Sequence, residues 1–352
     1  MHFRNLTFVV AVAVVLSLVQ GQAIAQSVAA KPAKTDTKTW TPPRTVDGQP
    51  DLQGVWANNV VTPLERPKEL AGRAVLTEQE MAALKKKAQE VFKADADAAF
   101  GDTFFLSVLA NVQGTKEGFK STDGGTGDYS TVWLVERNWD NRTSLITDPS
   151  DGRLPALTPE AQKRQASAAA KRFQSPAGPE DRSLSERCIT FGAPRLGAGY
   201  NSYYRIVQSR DTVAIMMETI HDARVIPLDG RPHLPSTVQS WLGDSRGHWE
   251  GNTLVVDTTN YKAGAFMYAS EKLHVIERFT RTGPESLKYE VTVDDPATWT
   301  KPWTVMIPLG HSRDAIYEYA CHEGNLGMLG ILKGARAEDK AAAGAGTPTR
   351  GQ

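Results

Sequence analysis

The residues with the most chemical promise lie in the second half of the chain. His221 ends an apolar run in METIHDARVI, with Asp222 directly after it and Arg224 two positions further on. An imidazole beside a carboxylate is the pattern of a general base whose tautomer is fixed by the neighbouring acid. Glu277, in LHVIERFT, alternates with Leu273, Val275 and Phe279, so a regular strand puts it on the apolar face. A carboxylate there must be paired or raised in pKa, and such groups often serve acid–base catalysis. His322 stands in YEYACHEGN between Cys321 and Glu323. His221, Asp222, Glu277 and His322 are therefore the candidate catalytic residues.

A second set suits the gripping of a small molecule. Arg224, Arg246 and Trp249 from WLGDSRGHWEGNT, Tyr261, and Trp299 from TWTKPWT offer guanidinium groups and aromatic faces for a carboxylate or a flat ring. Each also has a purely structural use: a well-made hairpin for the first stretch, core packing for the tryptophans, and a solvated face for charges that alternate along a strand. Ser245 sits in a literal G-x-S-x-G, but β-hairpin signals flank it and no helix follows, so the strand-turn-helix context of a nucleophile elbow is missing. His221, His233, His248, His311 and His322 supply imidazoles without HExxH or CxxC spacing, and a metal would have to be assembled from distant strands. No metal and no cofactor are expected.

These residues need elements to hold them. TEQEMAALKKKAQEVF, residues 77–92, predicts a helix with Thr77 as cap, Glu80 three residues on, and apolar positions at helical spacing. A second helix over 158–173 starts with Thr158 as N-cap and Pro159 at the first helical position. Between them STDGGTGD reads as a flexible turn and YSTVWLVER as a strand. After Cys188, short β-rich segments follow one another: SYYRIVQ, TVAIMMETI, ARVIPL, NTLVVDTTNY, LHVIERFT, SLKYEVTVDD, PWTVMIPL and AIYEYACHE. LDGRP, EGNT and TGPES separate them as turns, and GDSRG reads as a further tight hairpin. The expected fold is mainly β, an antiparallel meander closing into a lipocalin-like barrel with two or more peripheral helices. Closure removes exposed edges, and a β-sandwich or partial propeller is the alternative.

Residues 1–25 have the layout of a secretory signal peptide: His2 and Arg4, an apolar run from Leu6 to Val19, then Ala23-Ile24-Ala25 with cleavage expected before Gln26. That run is too short for a membrane span, and no later stretch approaches one. Residues 26–49 and 335–352 are rich in Lys, Thr, Pro, Ala and Gly and are expected to be disordered, leaving 50–334 as a single β-rich domain. Forty basic and forty acidic side chains balance without a basic block, which argues against a nucleic-acid partner. The two cysteines, Cys188 and Cys321, are expected to pair in an oxidising compartment, the periplasm or beyond.

PDLQGVW, TPLERPKEL, DRSLSERCI, HDARVIPLDGRPHLP, WLGDSRGHWEGNTLVVDTTNY, VIERFTR, VTVDDPATWTKPWT and YEYACHEGN together resemble a group of exported bacterial proteins. The likeness runs from Pro50 to about Ala337, and Gly54-x-Trp56 is similar to the first strand of lipocalin-type barrels. The resemblance implies export and carries no catalytic assignment. Two functions therefore stand side by side: an exported enzyme using acid–base chemistry (elimination, isomerisation or hydrolysis) on a small aromatic, terpenoid or carbohydrate-derived molecule, and a lipocalin-like carrier of a small hydrophobic ligand.

Overall fold

The computed structural model describes residues 40–93, 96–121, 136–172, 174–198 and 200–345. The expected signal peptide lies outside the described residues, as does most of the strand expected at YSTVWLVER. Ten strands form the centre: β1 (Gly54–Ala57), β2 (Ile146–Asp148), β3 (Tyr203–Gln208), β4 (Thr212–Met217), β5 (Ala223–Pro227), β6 (Asp244–Glu250), β7 (Thr253–Thr259), β8 (His274–Gly283), β9 (Ser286–Asp294) and β10 (Trp303–Ser312). Their hydrogen-bonded order is β5-β4-β3-β1-β10-β9-β8-β7-β6, every neighbouring pair is antiparallel, and β2 lies off this path against β10.

β1 makes this a barrel-like meander, because the first strand of the chain pairs with both β10 and β3 and so joins the two runs of hairpins. One seam remains without a ladder, between β5 and β6. Gly247 of β6 lies so close to the β5 side that a Cβ there would stand 2.8 Å from Ile226 and 2.6 Å from Leu228. Side-chain packing against a bare backbone therefore brings the two edges together. The alternation of residue types carries the interior: on β10, Trp303, Val305, Ile307 and Leu309 are buried while Thr304, Met306 and Pro308 are half-exposed. Each such aliphatic side chain contributes about 1.5–3 kcal/mol by leaving water.

Among the described residues, four α-helices accompany the sheet: α1 (Glu78–Val91), α2 (Asp102–Val112), α3 (Pro159–Arg172) and α4 (Leu326–Ala345). α1 has the expected capping box between Thr77 and Glu80, and the Thr158 hydroxyl accepts the Ala161 N–H at 3.2 Å to start α3. α1 and α2 bury a core of their own around Leu84, Phe104, Phe105 and Val108. Among the described residues, no helix is long and apolar enough to cross a membrane.

Several expectations are corrected. The ordered chain begins before residue 50: the Arg44 guanidinium donates to Asn252 at 3.2 Å, and the Gln49 amide donates to the Arg210 carbonyl at 2.7 Å. The tail expected to be disordered from residue 335 is helical through Ala345, where its alanines favour α4. GDSRG is not a tight hairpin but the start of β6; Ser245 and Gly247 face the core, and the turn falls at Gly251, whose φ of 60° suits glycine. AIYEYACHE is not a strand, because both sides of β10 are already paired and the segment after Ser312 crosses the barrel rim instead.

Cys188 and Cys321 are joined, as expected, across 133 residues with Cα atoms 5.7 Å apart. Replacing both by serine should lower stability by about 3–5 kcal/mol, because the unfolded chain regains the entropy of a long loop. The urea midpoints of the wild-type and C188S/C321S proteins test this. Equal midpoints would show that the bridge adds nothing to folding.

Candidate functional site

Two polar groups organise the barrel, one inside it and one at its rim. Inside, Glu277 of β8 is fully buried and accepts two hydrogen bonds from the Arg224 guanidinium of β5 and a third from the Tyr289 hydroxyl of β9. Burial alone would pull the Arg224 pKa down, but the Glu277 charge holds it above the ordinary value. Burial, followed by the Glu277 charge, raises the Tyr289 phenol well above its ordinary range. The ion pair crosses the interior from β5, at one edge of the sheet, to β8, two strands in from the other edge at β6. Both carboxylate oxygens are engaged, which makes Glu277 and Arg224 structural partners rather than groups presented to a substrate.

The other expected site residues disperse. Tyr261 and Trp299 are core aromatics, with Trp299 meeting Trp303 edge-on at 5.5 Å between centroids. Trp249 packs partly buried against the core, and Arg246 lies on the outer face donating to Asp244 at 2.7 Å. Ser245 faces inward and its hydroxyl bonds that of Thr258 at 3.0 Å. His322 is exposed in a turn. His221 is also exposed, and its Nε2 accepts the Tyr319 N–H at 3.0 Å. Asp222 is buried, accepting from the Thr190 hydroxyl at 2.6 Å, and burial raises its carboxyl pKa. His221, Glu277 and His322 therefore do not converge.

What the structure gathers instead is a rim cavity of about 790 Å³. It lies where the β4–β5 turn meets the segment that leaves β10. Tyr200, Tyr203, Tyr317 and Tyr319 line it together with Asn201 and the Cys188–Cys321 bridge. Glu218, the first residue past β4, also lines it and is only 4% exposed. Its Oε1 accepts the Tyr317 N–H at 3.3 Å, whereas Oε2 is buried with no hydrogen-bonding partner. Burial raises the Glu218 pKa, opposed by hydrogen bonding from the Tyr317 N–H and the Asn201 side chain and by the Arg195 charge.

The backbone around Glu218 is strained. Ile220 and His221, in the turn that follows it, have φ of 55° and 56°, and the cavity residues Cys188 and Asn201 have 56° and 44°. A β-branched residue such as isoleucine adopts positive φ only against steric resistance. Strain of this kind collects at binding and catalytic sites, where surrounding structure holds it in place. Sequence reasoning missed Glu218 because strand alternation assigns it the outer face, with Met216. The left-handed turn at Ile220–His221 is what redirects the chain there, and only a carboxylate ending an apolar strand hinted at it.

A third polar group lies on the outer face of β6–β8. His233 bridges Asp244 (Nδ1, 3.0 Å) and Asp257 (Nε2, 3.2 Å), and His274 Nε2 meets the same Asp257 oxygen at 2.9 Å. The hydrogen bond to Asp257 raises the His274 pKa and lowers that of Asp257. A raised histidine pKa adds stability that is full below its unfolded value of about 6.5 and is lost as pH rises through the folded value. H274Q should thus be destabilised at pH 6 and equal to the wild type near pH 9, as read from urea midpoints. Parallel pH profiles would contradict this. Among the described residues, no group of three or more His, Cys, Asp or Glu is placed to hold a metal ion.

No family model and no curated protein matches this chain. Among solved structures, a mutant of the fluorescent protein UnaG is similar over 32% of this chain and 72% of that one, at 13% identity and a TM-score of 0.21.

Proposed function

We propose that this protein is an exported enzyme that moves a proton on a small, ring-bearing molecule held in the rim cavity, with Glu218 as the acid–base group. The observation that carries the reading is the Glu218 carboxyl itself: buried, raised in pKa, and lining a 790 Å³ cavity with one oxygen unpartnered. A carboxyl raised toward the working pH combines a useful basic population with a useful driving force for returning the proton. As carboxylate, Glu218 takes a proton from a substrate C–H or O–H. As acid, it delivers that proton to a neighbouring atom, so an isomerisation balances with no added reactant, and an elimination releases the protonated leaving group. The tyrosine walls suit a flat ring. The signal-like residues 1–25 and the cysteine bridge fit an oxidising compartment outside the cytoplasm.

The carrier reading is favoured by one observation, the dispersal of His221, Glu277 and His322, which leaves Glu218 without a histidine beside it in the cavity lining. Thermal-shift screening of a metabolite library, followed by NMR analysis of each hit incubated with the protein, separates the two. Conversion of a hit by the wild type but not by E218Q supports the enzyme. Hits that bind at the cavity and return unchanged make the protein a carrier.

A further inference from the structure

We infer that the occupant of the rim cavity is an organic cation, an aromatic or alkyl ammonium, which takes as given that the cavity around Glu218 is the functional site. The lining carries four carboxylates, Glu186, Glu218, Asp314 and Glu318, and no lysine, arginine or histidine side chain. Of these, Glu186 is paired with Arg182 at 2.5 Å, while Glu218, Asp314 and Glu318 make no ion pair among the described residues. The nearest buried base, Arg195, is set behind the wall, stacked on Phe191 at 4.8 Å and donating to the Tyr200 carbonyl at 3.1 Å. The lining of the cavity is therefore acidic, and the Arg195 charge reaches Glu218 only from behind the wall.

The tyrosines complete the match. Tyr200, Tyr203, Tyr317 and Tyr319 surround the same space, and aromatic faces attract ammonium groups through the ring quadrupole. Acidic groups among aromatic walls hold a cation well and a neutral ring less well, because the carboxylates then stay partly desolvated without a partner. Glu218 supplies a second, independent observation. Its Oε2 is buried without a partner, and a buried acceptor is costly unless something donates to it. An ammonium N–H, or the charge of a quaternary nitrogen, answers that need.

Calorimetric titration of the intact protein with four probes of one size tests the inference: phenethylammonium, benzyltrimethylammonium, 2-phenylethanol and 3-phenylpropionate. The two cations should bind at least tenfold more tightly than the alcohol, and the carboxylate should show no heat of binding. E218Q should weaken the cations at least tenfold and leave the alcohol unchanged. If E218Q does not fold, the exposed pair D314N/E318Q gives the same reading with a smaller loss. Tighter binding of the alcohol or the carboxylate would overturn the cation inference while keeping the cavity as a site. Absence of binding by all four probes would overturn the inference and the functional reading together.

Discussion

E277L is expected to lower the stability of this protein by about 3–5 kcal/mol, because it leaves the Arg224 guanidinium charged and unpaired in the barrel interior. The side chains of Arg224 and Glu277 are 5% and 0% exposed. E277Q should cost less, since the amide keeps an acceptor for Arg224 and Tyr289 but loses the opposite charge. The double variant R224M/E277L should recover most of the loss, because removing both charges also removes their desolvation penalties. Urea unfolding of the three variants reads this directly. A loss under about 1 kcal/mol for E277L would mean the pair does not hold β5 to β8 across the barrel interior.

E218Q is expected to reduce turnover of the substrate by about 10²–10⁴-fold with little change in binding of neutral molecules, the range typical of a lost general acid–base group. The amide fills the same volume but neither takes nor gives the proton. The pH profile carries a second signature. Burial raises the Glu218 pKa, so the carboxylate form, and with it a base-catalysed rate, should appear at a pH above the ordinary glutamate range. The limb should rise with increasing pH and be absent in E218Q. A limb at the ordinary glutamate pKa, or one that survives the substitution, would assign the proton transfer to another group. The same substitution should not weaken folding, because it removes a carboxylate that is costly to hold charged in a buried position.

The barrel could be read from alternation. β4, β9 and β10 carry apolar residues at every second position, and the pleat then fixes which face is core. Glu277 was legible as an inward charge by the same counting. Its partner was not, because Arg224 lies 53 residues away and is brought to it only by barrel curvature. α1 and α3 were legible from their caps, whereas α2, with the apolar stretch DTFFLSVLANV, offered no such start signal: its N-cap is Gly101, with no side-chain cap. β6 was misread because Gly243 and Gly247 of GDSRG signal a turn locally, whereas Gly243 precedes the strand and Gly247 lets Ile226 and Leu228 approach across the seam.

The candidate site was less legible than the fold for one physical reason. Tyr200, Glu218 and Tyr317 come from three loops, and loop direction depends on a few dihedral angles that residue type does not fix. Ile220 is the clearest case, since its side chain argues for a strand and its φ of 55° ends one. His221 and His322 drew attention through their chemistry. The neighbouring residues Glu218 and Cys321, rather than the histidines, line the cavity.

A crystal structure of the protein with a screened ligand bound gives the most direct test. A ligand donor or reacting atom should lie within about 2.6–3.2 Å of the Glu218 carboxyl, between Tyr317 and Tyr200. A ligand seated elsewhere on the barrel, with Oε2 still unpartnered, would contradict the role of Glu218.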